Sequence, residues 1–306
     1  MAIKQVRVKV NNVWTVLSLD DSDGLYKATL TAPTITSYNI NSGHYYPVTI
    51  EATNEAGTAT TIDDTHSSLG EYCKLKVKEV TAPTITITSP TAGQYLGTAT
   101  PEFKFTMDDE SNGSGVSITT LKITLDGTTY TNTSSGVTVS AITNGYSVTF
   151  KPQTALSDGT HKFKVSVSDN DGNVATSTEV SFTTDTIAPT LNVTNPATNG
   201  TYTSESTLVV AGTASDSTSG TPTVTVKVNN GSAQTVTVSN GAFSKSVALT
   251  NGTNTIVVTA TDKAGKVTTI TRTIILDTSS PVVASISITP NPVNVGGLYT
   301  VVVNVE

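Results

Sequence analysis

The chain has 306 residues and a formal net charge of −7, and only 13% of its residues are charged. This length suffices for two or three domains that each bury a core. The acidic balance provides neither a basic surface for nucleic acid nor an attraction to anionic membranes, so we predict no nucleic-acid partner and no membrane insertion. The single cysteine, Cys73, excludes an internal disulfide framework and predicts a small buried side chain rather than a reactive thiol.

The first eighty residues predict an N-terminal β domain. Residues 1–10 alternate lysine and arginine with apolar side chains and contain no continuous apolar run, which indicates a first strand rather than a signal peptide. Period-two stretches predict strands at residues 6–10, 13–17, 25–30, 47–53 and 72–80. No stretch is long and apolar enough to predict a transmembrane helix.

One strand and its turn recur three times along the chain. In each copy the first apolar residue of the strand precedes the turn residue, Asn54, Asp169 or Asp262, by six positions. The alternation predicts that one face of each strand is buried. The Asp/Asn-x-x-Gly that follows is typical of a tight hairpin, because glycine supplies the positive φ that closes the turn. The predicted buried positions are Val48, Ile50, Ala52, Phe163, Val165, Val167, Ile256, Val258 and Ala260.

Repeated openings and joints divide the chain into four parts. Pro83 and Pro189 open similar stretches 106 residues apart, and the joint before Pro189 is repeated before Pro281. A period near 100 residues that is filled with short strands predicts tandem antiparallel β-sandwiches. We therefore predict an N-terminal β domain at 1–80 and immunoglobulin-like domains at 81–187 and 188–279, joined as a rod. Residues 280–306 are predicted to form a partial unit or a strand-exchange tail.

The acidic turns raise the question of a metal site. Asp169 and Asp171 alternate oxygen ligands in an Asp-Asn-Asp-Gly-Asn run, as calcium loops do. Hairpin turns favour the same residues, and the matching turn of the next repeat has Ala264 at the position of Asp171. We therefore favour a plain turn and predict no cofactor and no calcium requirement for folding, with calcium at Asp169 and Asp171 as the alternative.

The sequence predicts no enzyme. The three histidines lie far apart, and His161 stands beside a turn, where solvent exposure is the simplest expectation. No phosphate-binding loop, zinc-protease helix or nucleophile elbow is present. The acidic clusters lack the surrounding aromatic side chains that a substrate cleft would need.

Four aromatic residues of the first eighty, Trp14, Tyr38, Tyr45 and Tyr46, are candidate docking or binding residues. They predict either a surface for a partner or a sugar, or an ordinary core. In the second case Trp14 and one tyrosine fill the core, and another tyrosine makes a corner hydrogen bond to the backbone.

Residues 156–189 and 249–281 share a longer pattern. Each reads Leu-x-(Asp/Asn)-Gly-Thr, an alternating strand, (Thr/Ser)-Asp-x-x-Gly and a closing Asp-Thr-x-x-Pro. This pattern resembles the bacterial immunoglobulin-like domains of surface adhesins and phage structural proteins. The first thirty residues resemble the openings of tail and accessory proteins of phages of Gram-positive bacteria. The resemblance implies an all-β fold and a spacer or binding role.

These observations lead to a functional expectation. We expect a non-enzymatic virion structural protein of a phage, such as a tail, baseplate or head-fibre component, with other virion proteins and further copies of itself as partners. Host cell-wall carbohydrate is a second expected ligand, and the first eighty residues are expected to dock. The alternative is the stalk of an adhesin on a bacterial cell surface. The absence of an export signal favours the virion.

Overall fold

The computed structural model describes residues 2–34 and 36–306. Within these residues the regular structure is β-strand, apart from three short 3-10 helices at Tyr38–Ile40, Ser42–His44 and Gly70–Cys73. None of these helices has the length or the apolar character to cross a membrane. The all-β prediction is confirmed. The chain divides into two compact units, with the boundary between Thr184 and Asp185.

The first β domain, formed by the residues up to 80, is built on one sheet in the order β3-β2-β1-β4-β5, with β6 on β4. Its strands are β1 (Ile3–Val10), β2 (Val13–Asp20), β3 (Leu25–Lys27), β4 (Tyr46–Asn54), β5 (Ala59–Ile62) and β6 (Lys74–Leu75). Asn11 and Asn12, both with positive φ, close the predicted first hairpin. Because this domain has one sheet, its core is small, and Ile50, which the alternation predicts as buried, is 37% exposed. That prediction was wrong.

The predicted strand at residues 72–80 is also wrong in most of its length. It begins as a 3-10 helix and pairs with β4 only at Lys74 and Leu75. Beyond Leu75 its backbone groups bond to other partners: Val77 accepts a hydrogen bond from the Tyr38 N–H, and the Glu79 N–H donates to an aspartate of the next domain. Cys73 is buried, as expected, but in the helix rather than in a strand.

The second and third domains of the chain are β-sandwiches, and we call them the second and third sandwich. The second sandwich has two sheets, ordered β12-β13-β9-β7 and β11-β10-β14-β16-β8, with β15 on β14. Their strands pair antiparallel except for β16 and β8, which are parallel. Its strands are β7 (Thr84–Ser89), β8 (Tyr95–Leu96), β9 (Phe103–Asp108), β10 (Val116–Leu125), β11 (Thr128–Tyr130), β12 (Val137–Ile142), β13 (Gly145–Phe150), β14 (Gly159–Asp169), β15 (Val174–Thr176) and β16 (Val180–Thr184). The inward positions of β14 are Phe163, Val165 and Val167, which are at most 1% exposed and confirm the predicted face.

The third sandwich repeats this arrangement with sheets β17-β19-β23-β22 and β18-β25-β24-β20-β21. Its strands are β17 (Thr190–Asn195), β18 (Thr201–Thr203), β19 (Thr207–Ser215), β20 (Thr223–Val228), β21 (Gln234–Val236), β22 (Val238–Ser239), β23 (Ala242–Ala248), β24 (Gly252–Thr261) and β25 (Val267–Leu276). The predicted core residues Ile256, Val258 and Ala260 are fully buried.

The last two strands, β26 (Val283–Thr289) and β27 (Thr300–Val305), form a separate antiparallel pair with exposed side chains. The second residue after Pro281, Val283, pairs with Val305. The second residues after Pro83 and Pro189 pair in the same way with the partner strands β9 and β19. The pair of β26 and β27 therefore follows its proline in the same way as the strand pair that opens each sandwich.

Candidate functional site

The turn after β14 is held together by the carboxylate of Asp169. Its Oδ1 accepts hydrogen bonds from the N–H groups of Asp171, Gly172 and Asn173 at 2.9, 2.6 and 2.9 Å. The Asn173 side chain donates to Oδ2 at 2.8 Å. Asp169 is only 2% exposed, so this carboxylate closes the predicted hairpin turn from its buried side.

Asp169 belongs to a first acidic cluster with Glu79 and Asp109. Each of the three residues offers one carboxylate oxygen, and these oxygens lie within 4.8 Å of one another. Asp109 directly follows β9, and Glu79 stands four residues before Pro83. The acidic turn in the sequence pointed to Asp169, whereas no local pattern marks Glu79, which lies 90 positions earlier in the chain.

The first acidic cluster is only partly satisfied by protein donors. Asp109 Oδ2 accepts from the Gly115 N–H at 2.6 Å, and Glu79 Oε1 accepts from the Ser114 N–H. The other oxygens, Asp109 Oδ1 and Glu79 Oε2, are buried without a hydrogen-bond partner. Burial raises the pKa of Asp109, and burial together with the neighbouring Glu110 raises the pKa of Glu79 to about 6.

The raised pKa of Glu79 predicts a pH dependence of stability in the presence of a chelator. The folded chain holds this proton more tightly than the unfolded chain, whose carboxyl titrates near its ordinary value of 4.5. The contribution of Glu79 to stability is therefore greatest below pH 4.5 and declines as the pH rises to about 6. Urea unfolding across this range should show that Glu79→Gln removes this decline. Parallel pH profiles for the two proteins would contradict the assignment.

Asp171 is not a member of the first acidic cluster but forms a joint with the first β domain. Its carboxylate accepts hydrogen bonds from Ser37 Oγ at 2.6 Å, Asn39 Nδ2 at 2.6 Å and the Glu79 N–H at 2.9 Å. Its carbonyl accepts from Lys78 Nζ at 2.9 Å. The structure thus separates the two predicted ligands, since Asp169 lies in the acidic cluster and Asp171 in the joint.

A second acidic cluster of Asp185, Asp216 and Asp262 occupies the corresponding positions of the next repeat. Asp185 stands four residues before Pro189, as Glu79 stands before Pro83. Asp216 directly follows β19, and Asp262 begins the turn after β24. Both clusters therefore take one acid from the segment before the opening proline and two from the ends of equivalent strands.

The second acidic cluster also contains carboxylate oxygens without partners. Asp185 is fully buried, and neither of its oxygens has a hydrogen-bond partner. Asp262 Oδ1 accepts from the Lys266 N–H at 2.8 Å, whereas its Oδ2 is buried and unpartnered. Asp216 Oδ1 is held by the N–H groups of Thr218 and Ser219. Burial raises the pKa of Asp185.

The acidic turn between β2 and β3 differs from both clusters. Lys27 Nζ lies 2.9 Å from an oxygen of Asp20 and also contacts the carboxylate of Asp23. Hydrogen bonds lower the pKa of both aspartates. The largest cause at Asp20 is the hydrogen bond from the Ser22 hydroxyl, and the largest cause at Asp23 is the hydrogen bond from Lys27. In this exposed turn one lysine pairs with two of the three aspartates, whose carboxylates therefore already have a cationic partner.

The four candidate aromatic residues lie in separate environments. Trp14 is 38% exposed, and the Arg7 guanidinium lies 4.3 Å from its ring centroid, so the interpretation that places Trp14 in the core is wrong. Tyr46 is buried, and its hydroxyl donates to the Thr36 carbonyl at 2.7 Å. Lysine ammonium groups lie over the rings of Tyr38 and Tyr45 at 5.7 and 5.2 Å. Among the described residues none of the four rings stacks on another.

His161 is buried, contrary to the expected solvent exposure. Its Nδ1 lies 2.6 Å from Asp126 Oδ2, and its Nε2 lies 2.9 Å from Thr184 Oγ1 and 2.8 Å from the Ser157 carbonyl. These residue types occur in hydrolase triads. Thr184 is fully buried, however, and its hydroxyl donates to Ser157, so it is not available to a substrate. The network fixes the start of β14 against β16.

The two sandwiches match known families. Residues 89–186 match a bacterial Ig-like domain, and residues 189–278 match domain B of glucodextranase. The chain carries Ig-like domains in tandem. The immunoglobulin-like part of the resemblance is thus confirmed, whereas neither match concerns a phage protein. A search of curated proteins gives no match.

Solved structures similar to this Ig-like chain include three multidomain segments. The fibronectin(III)-like modules of Clostridium thermocellum CbhA are 20% identical with a TM-score of 0.40, over 63% of this chain and 94% of that one. A 1.5-MDa bacterial ice-binding adhesin is 22% identical with a TM-score of 0.30, over 89% and 86%. Domains 3–5 of Drosophila OTK are 13% identical with a TM-score of 0.36, over 89% and 85%. At these scores the fold assignment rests on the strand pairing of the chain itself.

Proposed function

We propose that this chain is a non-enzymatic structural protein whose Ig-like domains act as a spacer within an exposed assembly. The observation that carries this proposal is the joint at Asp171, where one buried carboxylate of the second sandwich receives donors from three positions of the first β domain. A spacer must hold its neighbouring domains at a set orientation. Hydrogen bonds to a charged group contribute about 1.5–3 kcal/mol each, so this joint is strong enough to do so.

The assembly that we propose is a phage virion, as a tail, baseplate or head-fibre component. The first β domain supports this role because it differs from the Ig-like repeat and has an open apolar groove lined by Val8, Val10, Val13 and Leu75. It would dock onto another virion protein, while the hydroxyl-rich faces of the two sandwiches suit solvent. Further copies of the chain in the same particle, and weak binding to host cell-wall carbohydrate, belong to the same proposal.

A second candidate is the stalk of a bacterial surface adhesin. The observation that favours it is the match of residues 89–186 to a bacterial Ig-like domain. The two candidates use the Ig-like tandem in the same way and differ in what anchors the first β domain.

Locating the protein in infected and uninfected cultures of its source tests the two candidates. The virion proposal expects the chain in purified particles, with cryo-electron microscopy density that is sharp for residues up to 80 and in contact with a neighbour. Detection only in the cell envelope of particle-free cultures would contradict the virion and support the adhesin. Particles in which the first β domain hangs free would contradict the docking role.

A further inference from the structure

We propose that each acidic cluster binds one calcium ion, an inference that goes beyond the spacer role and does not depend on it. Each cluster holds three carboxylate oxygens within 4.8 Å of one another. Asp109 and Asp169 of the first cluster are 6 and 2% exposed, and Asp185 and Asp262 of the second are 0 and 7% exposed, so water hardly screens the repulsion within each of these pairs. Buried carboxylates at this spacing require a cation or protons to offset the repulsion.

The oxygens without partners indicate where such a cation would bind. Buried polar atoms nearly always have a partner, yet Glu79 Oε2, Asp109 Oδ1, both oxygens of Asp185 and Asp262 Oδ2 have none. In Asp109 and Asp262 the other oxygen accepts a backbone N–H, from Gly115 and Lys266. The backbone therefore fixes each carboxylate and leaves one oxygen for a ligand, as outer hydrogen bonds do around metal ligands.

The chemistry of the donors selects calcium. Neither cluster contains histidine or cysteine, which argues against zinc and the softer transition metals. Calcium accepts six to eight oxygens in a flexible geometry, whereas magnesium needs a near-ideal octahedron and retains its waters. Each cluster offers three carboxylates, two of them buried and one partly buried, and this arrangement suits the larger ion.

The recurrence of the cluster is an independent argument. The first acidic cluster uses Glu79 where the second uses Asp185, so the side chain differs between the repeats while the carboxylate is retained. The turn contributes its first acid, Asp169 or Asp262, to the cluster. Ala264 stands at the position of Asp171, which is not a member of the cluster. The alanine therefore removes no ligand from the second cluster and is no evidence against a calcium site there.

Isothermal titration calorimetry of CaCl2 into the full chain, after removal of metal by a chelator, tests the proposal. We expect two calcium ions per chain, one for each acidic cluster. Asp109→Asn and Asp262→Asn should each remove one ion, and the double variant both. The matched control, Asp20→Asn in the turn where Lys27 pairs with this aspartate, should retain both sites.

Melting temperatures separate ion binding from a general structural role. Calcium should raise the melting temperature of the wild-type chain, because a ligand that binds only the folded state stabilises it. In chelator, Asp109→Asn and Asp262→Asn should melt at or above the wild-type temperature, since each removes a repelling charge, and calcium should shift the double variant little. The proposal would be overturned if calcium gave no heat of binding up to about 10 mM, a concentration above the dissociation constants of extracellular calcium modules. It would also be overturned if magnesium bound and calcium did not, or if the double variant bound as many calcium ions as the wild-type chain.

Discussion

Replacing Phe163 by alanine should lower the free energy of unfolding of the second sandwich by about 3–5 kcal/mol. The side chain is fully buried, and its ring lies 4.5 Å from Phe103 and 6.1 Å from Phe105, measured between centroids. Truncation removes these contacts and leaves a cavity between the two sheets, which the aromatic neighbours cannot fill without shifting.

Urea unfolding of the full chain, followed by hydrogen exchange of the β14 backbone amides, measures this loss. Tyr202→Ala is the control, because Tyr202 is 70% exposed and its loss should change stability by less than about 0.5 kcal/mol. A loss below about 1 kcal/mol for Phe163→Ala would contradict the core assignment of β14.

Replacing Asp171 by alanine should uncouple the first β domain from the second sandwich. The change leaves Ser37 Oγ, Asn39 Nδ2 and the Glu79 N–H without their acceptor. Lost hydrogen bonds to a charged group and unpaired buried donors together should reduce the coupling by roughly 3 kcal/mol or more. The first β domain has few buried residues of its own, so it should unfold first, as a separate transition.

Differential scanning calorimetry detects this change in cooperativity. The wild-type chain should unfold the first β domain together with the second sandwich, and Asp171→Ala should add a transition at lower temperature. Asp21→Ala is the matched control, since Asp21 lies in an exposed turn. An unchanged calorimetric profile for Asp171→Ala would show that the joint contributes little.

The cores of the sandwiches could be predicted from the sequence because they depend on local patterns. Alternation along β14 and β24 places every second residue on the same face, and a second sheet covers that face. The same alternation gave a wrong result at Ile50, where the first β domain has no second sheet to cover the strand. Period-two patterning predicts which residues share a face, but not whether that face is covered.

The candidate sites could be predicted only in part, because they join distant segments. Asp171 receives its donor from Ser37 across 134 positions, and nothing in the local sequence of either residue indicates the other. Asp169 and Asp171 were predicted as one ligand pair because they are close together in the sequence. The turn directs the two side chains to different partners, which only the three-dimensional structure reveals.

The distribution of distances across the joint tests the central claim that the chain is a spacer with a fixed connection between domains. Thr60→Cys in β5 and Ser140→Cys in β12, in a Cys73→Ala background, provide two sites for nitroxide labels. Double electron–electron resonance then measures the distance between the two labels. Both positions are exposed. We predict one narrow distance distribution in the otherwise wild-type chain and a broad one after Asp171→Ala. A broad distribution with Asp171 in place would contradict the account.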